Sequence, residues 1–166
     1  MILGMSTSTF TAVHVVLSLI GIFTGIVVLL GMLGAKRLDG LTAVFLATTV
    51  LTGVTGFLFH SASFGPPHVI GVISLVVLAI AILALYAYRL AGAWRWIYIV
   101  GAVLALYLNV FVGVVQAFQK LPALTALAPT QSEPPFLVAQ LLVLVVFALL
   151  GIVAVKRFHP EEKALA

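Results

Sequence analysis

Three of the four histidines are the side chains best suited to chemistry, because imidazole binds metals and titrates near neutral pH. His60 and His68 flank a Ser/Gly/Pro-rich turn at 61–67, and His14 lies in the first apolar stretch. Three imidazoles with the Glu133 carboxylate are a donor set for a divalent transition metal such as Zn²⁺, Cu²⁺ or Fe²⁺. Two imidazoles from different helices would instead hold haem b. His14, His60 and His68 are therefore the candidate cofactor or metal site.

Asn109, Gln116 and Gln140 are candidate neighbours of this site, since hydrogen bonds from surrounding groups orient ligating side chains. Every predicted helix contributes a His or Gln to one layer near the same end of the molecule. Simpler interpretations stay open for each residue. His60 and His68 would serve equally as boundary residues that face water, and Asn109 and Gln140 as hydrogen-bonding links between helices. The only carboxylate expected at that end is equally typical of a solvated loop.

Motifs for hydrolysis or phosphoryl transfer are absent from the sequence. It contains no Gly-rich phosphate loop, no H-E-x-x-H and no G-x-S-x-G. It also contains no cysteine, which excludes disulfides, thiolate metal sites and thiol catalysis. We therefore expect no catalytic residues and no independent enzymatic activity.

The elements that position these residues are membrane spans. The chain has 166 residues, of which 64% are hydrophobic and 7% charged, and its mean hydropathy is +1.33. A span needs about 20 apolar residues to cross roughly 30 Å of hydrocarbon. Uncharged stretches predict an all-α integral membrane protein, a five-transmembrane-helix bundle that forms one polytopic domain over 1–166. The expected spans are about 10–33, 41–60, 68–88, 96–118 and 136–155.

The basic residues predict the orientation. All of them except Lys120 fall on one side of the five-span arrangement. The positive-inside rule assigns that side to the cytoplasm, so the N-terminus is expected outside and the C-terminus inside. The candidate site then lies at the outer end. Because the basic residues follow membrane topology, we expect no nucleic-acid partner. The residues on the inner side are Lys36, Arg37, Arg89, Arg95, Lys156, Arg157 and Lys163.

Small and polar residues recur at helical spacing in three spans, which marks faces that approach other helices closely in lipid. This pattern places His14, His60, Asn109 and Gln116 on packed faces, although such stripes also serve close packing alone. The stripes are His14, Ser18, Gly21 and Gly25 in the first span, Thr49, Gly53, Gly56 and His60 in the second, and Gly101, Ala105, Asn109, Gly113 and Gln116 in the fourth.

The segments 90–96, 106–111 and 128–136 resemble small uncharacterised bacterial inner-membrane proteins that have no assigned activity. The resemblance covers roughly the C-terminal half. It implies a multi-pass protein of the bacterial cell inner membrane and transfers no catalytic residue. The di-haem cytochrome b561 group is similar only in size and in its helical histidines, because this chain lacks the membrane histidines of the di-haem pattern.

These observations favour a structural or accessory membrane subunit without its own catalytic activity. Its expected partners are the lipid bilayer and membrane helices of its own or another kind, in a homo- or hetero-oligomer. The alternative is a metal- or haem-binding protein that uses the outer histidine layer for redox, assembly or sensing. A small-solute transporter is a weaker alternative, because five spans do not divide into two equal repeats.

Overall fold

A computed structural model describes residues 1–59 and 64–160. It contains five helices that are long and apolar enough to cross a membrane. This confirms the predicted all-helical architecture with five spans. The helices are α1 (Thr7–Leu33), α2 (Asp39–Phe57), α3 (Pro66–Ile82, continued by a π-helical turn over Leu83–Ala87), α4 (Ala93–Lys120), the short α5 (Pro122–Leu127) and α6 (Pro134–Arg157).

Several helices begin a few residues before the predicted spans, because capping residues start them. The Ser6 hydroxyl accepts a hydrogen bond from the Thr9 backbone N–H at 3.1 Å, so α1 begins at Thr7. Helices α3 and α6 begin at Pro66 and Pro134, where proline supplies a helical φ and lacks only an N–H that would have no helical partner.

Two boundaries differ from the expectation in a way that affects the site. Helix α2 ends at Phe57 rather than at His60, and His60 lies outside the described residues. The segment between α4 and α6, which the predicted spans leave as a connection between 118 and 136, contains the helix α5. Proline at its first position starts this short helix too.

Helix α4 is the centre of the bundle. It contacts α1, α2, α3 and α6, and it carries the fully buried side chains of Tyr98, Ile99 and Leu106. Helix α6 is instead the most exposed of the spanning helices, because Gln140 and Ala154 are its only buried residues. Most of the surface of α6 is therefore apolar and open to lipid.

Glycines mark the closest helix crossings. A Cβ atom on Gly25 would lie 2.6 Å from Leu106 Cδ1 and 2.8 Å from the Phe45 ring, so α1 meets α2 and α4 there. A Cβ on Gly101 would lie 3.1 Å from the Cβ of Ala81 on α3. The second-span stripe is divided between two interfaces, because Gly53 packs against Leu75 of α3 rather than against α1.

The bundle has two chemically distinct ends. One small cavity is lined by the end of α1, the start of α2, the end of α3, the start of α4 and the residue that follows α6. Lys36, Arg37, Arg95, Lys156 and Arg157 lie at or beside these helix ends. We call this the basic end. We call the opposite end, with His14, His68, Gln116 and Glu133, the histidine end.

Candidate functional site

His14 is held by a hydrogen bond between α1 and α2. Its Nδ1 lies 2.8 Å from Thr55 Oγ1. A threonine hydroxyl has one hydrogen, and Thr55 donates it to the Leu51 carbonyl at 2.7 Å. This assigns the proton of His14 to Nδ1, which donates to Thr55, and leaves the lone pair on Nε2. The ring also meets Phe59 edge-on, with the centroids 5.2 Å apart.

His68 closes the first turn of α3. Its Nδ1 accepts a hydrogen bond from the Gly65 backbone N–H at 3.1 Å, and the backbone N–H of His68 donates to the Gly65 carbonyl at 3.0 Å. Because Nδ1 is an acceptor, the neutral ring carries its proton on Nε2. Phe64 stacks on the ring at 5.0 Å, and Phe57 is 5.8 Å away. The side chain therefore acts as a cap in this geometry.

The two histidines pack against different faces of α2. His14 contacts Thr55 and Phe59 on the α1 side, whereas His68 contacts Phe57, whose ring packs against α3 at Gly71. Among the residues that the structure describes, no three His, Asp or Glu side chains come together as a metal site. Since His60 lies outside those residues, the three-histidine site stays a prediction.

Glu133 folds back on its own loop. Its carboxylate accepts hydrogen bonds from the Thr130 hydroxyl at 2.8 Å, the Thr130 N–H at 3.2 Å and the Ser132 N–H at 3.1 Å. Partial desolvation acts to raise the pKa of this carboxyl, but the hydrogen bonds outweigh it and hold the pKa below its usual value of 4.5. The carboxylate is exposed, and it orders the segment that precedes α6.

The glutamine side chains also form hydrogen bonds with other groups of the same chain. Gln140 is buried, and its Nε2 donates to the Phe111 carbonyl of α4 at 3.2 Å. Gln116 and Gln119 lie 3.4 Å apart through Nε2 and Oε1. Gln131 donates to the Val115 carbonyl at 3.0 Å and so attaches the loop before α6 to the end of α4. These contacts fix α4, the loop and α6 to one another.

Asn109 lies deeper in the membrane than the histidine end. A Cβ on Gly21 would lie 3.2 Å from Asn109 Nδ2. The same Cβ would lie 3.3 Å from Thr48 Oγ1 and 3.0 Å from Thr49 Oγ1. Gly21 is about 10 Å further along α1 than His14, at about 1.5 Å per residue. Within residues 1–59 and 64–160, Asn109 Nδ2 and Gln140 Oε1 are buried without a hydrogen-bond partner. Asn109 belongs to the contact of α4 with α1 and α2.

Two polar residues, Thr55 and Arg95, join helices in ways that the sequence did not predict. Thr55, the partner of His14, is one of several α2 threonines whose hydroxyls donate to carbonyls one turn earlier. The spacing of Thr48, Thr52 and Thr55 along one helix face was the available signal. Arg95 donates from Nη1 to the carbonyls of Val155 and Phe158, at 2.9 and 2.8 Å. This side chain therefore caps the end of α6. The sequence did not reveal this role, because the basic residues were used only to predict the membrane orientation.

Five apolar helices, packed on small residues and joined by hydrogen bonds from polar side chains, define a multi-pass helical membrane protein. No protein-family model, no curated protein and no solved structure matches the chain. The internal contacts of the bundle are therefore the basis for assigning it a role.

Proposed function

We propose that this protein is an accessory subunit of a membrane-protein complex in a bacterial inner membrane and has no catalytic activity of its own. One observation carries the proposal: polar side chains at and near the histidine end form hydrogen bonds with other groups of the same chain. His14 bonds to Thr55, His68 to the Gly65 backbone and Gln140 to the Phe111 carbonyl. Side chains that are hydrogen-bonded in this way stabilise the bundle. Each also has fewer donors and acceptors left for a substrate.

The distribution of charge supports the proposed topology. The basic end faces the cytoplasm in this proposal, and the histidine end faces outward, in agreement with the positive-inside rule. The open surface of α6 supports association within the membrane. Its apolar side chains meet lipid or the helices of an oligomer, and packing between such surfaces needs no soluble domain.

The test of the accessory role uses the complex formed in native membranes. The tagged full chain is released in a mild detergent, and the masses and stoichiometry of its complexes are measured by native mass spectrometry. We expect a defined oligomer that persists when His14 and His68 are both replaced by Ala. A monomer in native membranes would contradict the proposal. So would a complex that is lost in the double variant while the variant keeps its fold.

A second candidate function is a ligand site at His14, and the assigned tautomer favours it. Histidines that ligate metals donate the hydrogen of the other ring nitrogen to a neighbouring acceptor, as His14 Nδ1 does to Thr55. The Nε2 lone pair would bind a divalent transition metal or haem b, with His60 and His68 as further ligands. For His68 to act as a ligand, its Nδ1 would first have to release the Gly65 N–H. One equivalent of metal or haem, lost on His14→Ala, would support this function.

A further inference from the structure

A groove runs between α4 and α6 on the lipid-facing side of the bundle. Its volume is about 440 Å³, within the roughly 300–1,000 Å³ of typical ligand sites. Its lining is apolar except at the basic end, where it reaches a lysine. The residues that shape it include Val103, Tyr107, Phe147, Ala148, Gly151 and Lys156.

Small residues on α6 create the groove. Ala148 and Gly151 are one turn apart and both line it. A Cβ on Gly151 would lie 3.3 Å from Val103 Cγ1, so α6 approaches α4 closely there. The rings of Tyr107 and Phe147 are 6.0 Å apart and pack against each other further from the basic end. The groove therefore has small residues on α6 and bulky side chains along its walls.

The length of the groove matches one leaflet of a bilayer. It follows α6 from Leu144 to Lys156, or about 18 Å at about 1.5 Å per residue. Half of a hydrocarbon core of about 30 Å is about 15 Å. A lipid acyl chain of the leaflet at the basic end would therefore lie along the whole groove.

Positive charge lies at the mouth of the groove. Lys156 is exposed in the last turn of α6, and its long side chain can extend toward the membrane surface. The Arg95 guanidinium donates to the carbonyl of Val155, the residue before Lys156, and Val155 also lines the groove. Basic pockets between membrane helices bind anionic lipid head groups.

We propose that this groove binds an anionic phospholipid of the leaflet at the basic end. One acyl chain lies along Val103, Phe147 and Gly151, and the phosphate pairs with the Lys156 ammonium. The apolar lining accounts for the chain, and the lysine at its mouth accounts for the preference for negative charge. This inference does not depend on the role of the histidine end.

The test measures lipid retention by the full chain. Purified protein is incubated with equal amounts of phosphatidylglycerol and phosphatidylcholine that have the same acyl chains, and retained lipid is counted by native mass spectrometry. The wild type should retain phosphatidylglycerol preferentially. Lys156→Gln should lower that preference about fivefold. Ala148→Phe should lower retention of both lipids, because the added ring fills the groove.

Two variants of α6 serve as matched controls. Arg157→Gln removes a neighbouring charge that does not line the groove, and Val146→Phe adds a ring at an exposed position outside it. Both should retain lipid as the wild type does. An equal loss in Arg157→Gln would mean diffuse attraction to charge and would overturn the proposal. Unchanged retention in Ala148→Phe, or a dimer that Ala148→Phe dissociates without loss of lipid, would also overturn it.

A measurement on the wild type covers the case in which a variant fails to fold. Phosphatidylglycerol with a photoreactive group in its acyl chain is crosslinked to the protein in vesicles, and the labelled residues are mapped by peptide mass spectrometry. We expect labelling concentrated at 147–152 of α6 and at 103–107 of α4. Labelling spread evenly over the lipid-facing sides of α1 and α3 would refute a specific groove site.

Discussion

His14 of α1 and Thr55 of α2 are joined by a 2.8 Å hydrogen bond in which the imidazole N–H is the donor. The donor is fixed because the Thr55 hydroxyl gives its only hydrogen to the Leu51 carbonyl. One contact therefore links two helices, selects the tautomer of His14 and leaves its Nε2 as a base. Whether that base has a ligand is what separates the two proposed functions.

Thr55→Val should weaken the α1–α2 interface, because it leaves the His14 Nδ1–H without its acceptor. We expect a loss of about 1 kcal/mol in the free energy of unfolding, as for hydrogen bonds between membrane helices. Reversible denaturation in mixed micelles measures it. Thr11→Val is the matched control, since within the described part of the chain the Thr11 hydroxyl bonds to the Thr7 carbonyl of its own helix. Equal losses in both variants would contradict an interhelical role for Thr55.

Gly25→Ala should destabilise the bundle by about 1–3 kcal/mol through overpacking. The new methyl group would lie 2.6 Å from Leu106 Cδ1 and 2.8 Å from the Phe45 ring, and both of these side chains are buried. The same denaturation assay reports the change. Gly40→Ala is the control, because a Cβ there would meet no atom of the described residues within 4 Å. It should be neutral or stabilising by up to about 1 kcal/mol. A neutral Gly25→Ala would show that the crossing is looser than described.

Arg95→Gln should detach the end of α6 from the start of α4. The guanidinium donates to the Val155 and Phe158 carbonyls, and hydrogen bonds from charged donors contribute about 1.5–3 kcal/mol. We expect a loss of that order and faster amide hydrogen exchange in the last turn of α6. Arg157→Gln removes a charge from the same end without these contacts, and its effect should stay within about 0.5 kcal/mol. Equal exchange rates in the two variants would refute the capping role of Arg95.

The Glu133 carboxyl should titrate below its usual value of 4.5, because the Thr130 and Ser132 groups hydrogen-bond its charged form. A pKa lowered in the folded state means that these bonds stabilise the loop above pH about 4.5. Their contribution is lost as the pH falls through the lowered pKa. A carbon-detected NMR titration of the Glu133 carboxyl measures the midpoint, and Thr130→Val should raise it. An unchanged midpoint in that variant would contradict the assignment of its cause.

Much of the fold follows from the sequence because lipid imposes simple requirements. Uncharged stretches of sufficient length must be spans, and glycines at helical spacing must face other helices, as Gly25 and Gly101 do. Helical spacing does not reveal which neighbour a small residue meets. Gly53 illustrates this, since it packs on α3 although it continues the stripe of residues that face α1.

The candidate site was harder to predict, because its contacts depend on turns and on depth. The Gly65 backbone N–H can donate to His68 Nδ1 because α3 begins at Pro66, which places His68 in the first turn of the helix. Asn109 shares a packed face with Gln116, yet its depth places it beside Gly21 rather than beside His14. Residue spacing records neither relationship, because the first depends on where α3 begins and the second on how the helices are shifted along one another.

The metal and haem content of the protein purified from native membranes is the most direct test of the proposed accessory role. Elemental analysis and an absorption spectrum should show no stoichiometric transition metal and no Soret band. Replacement of His14 by Ala should leave both unchanged, as should replacement by Ala of the exposed His159, which lies two residues beyond the end of α6. One equivalent of metal or haem per chain, lost in His14→Ala and kept in His159→Ala, would contradict the accessory role and establish a ligand site at the histidine end.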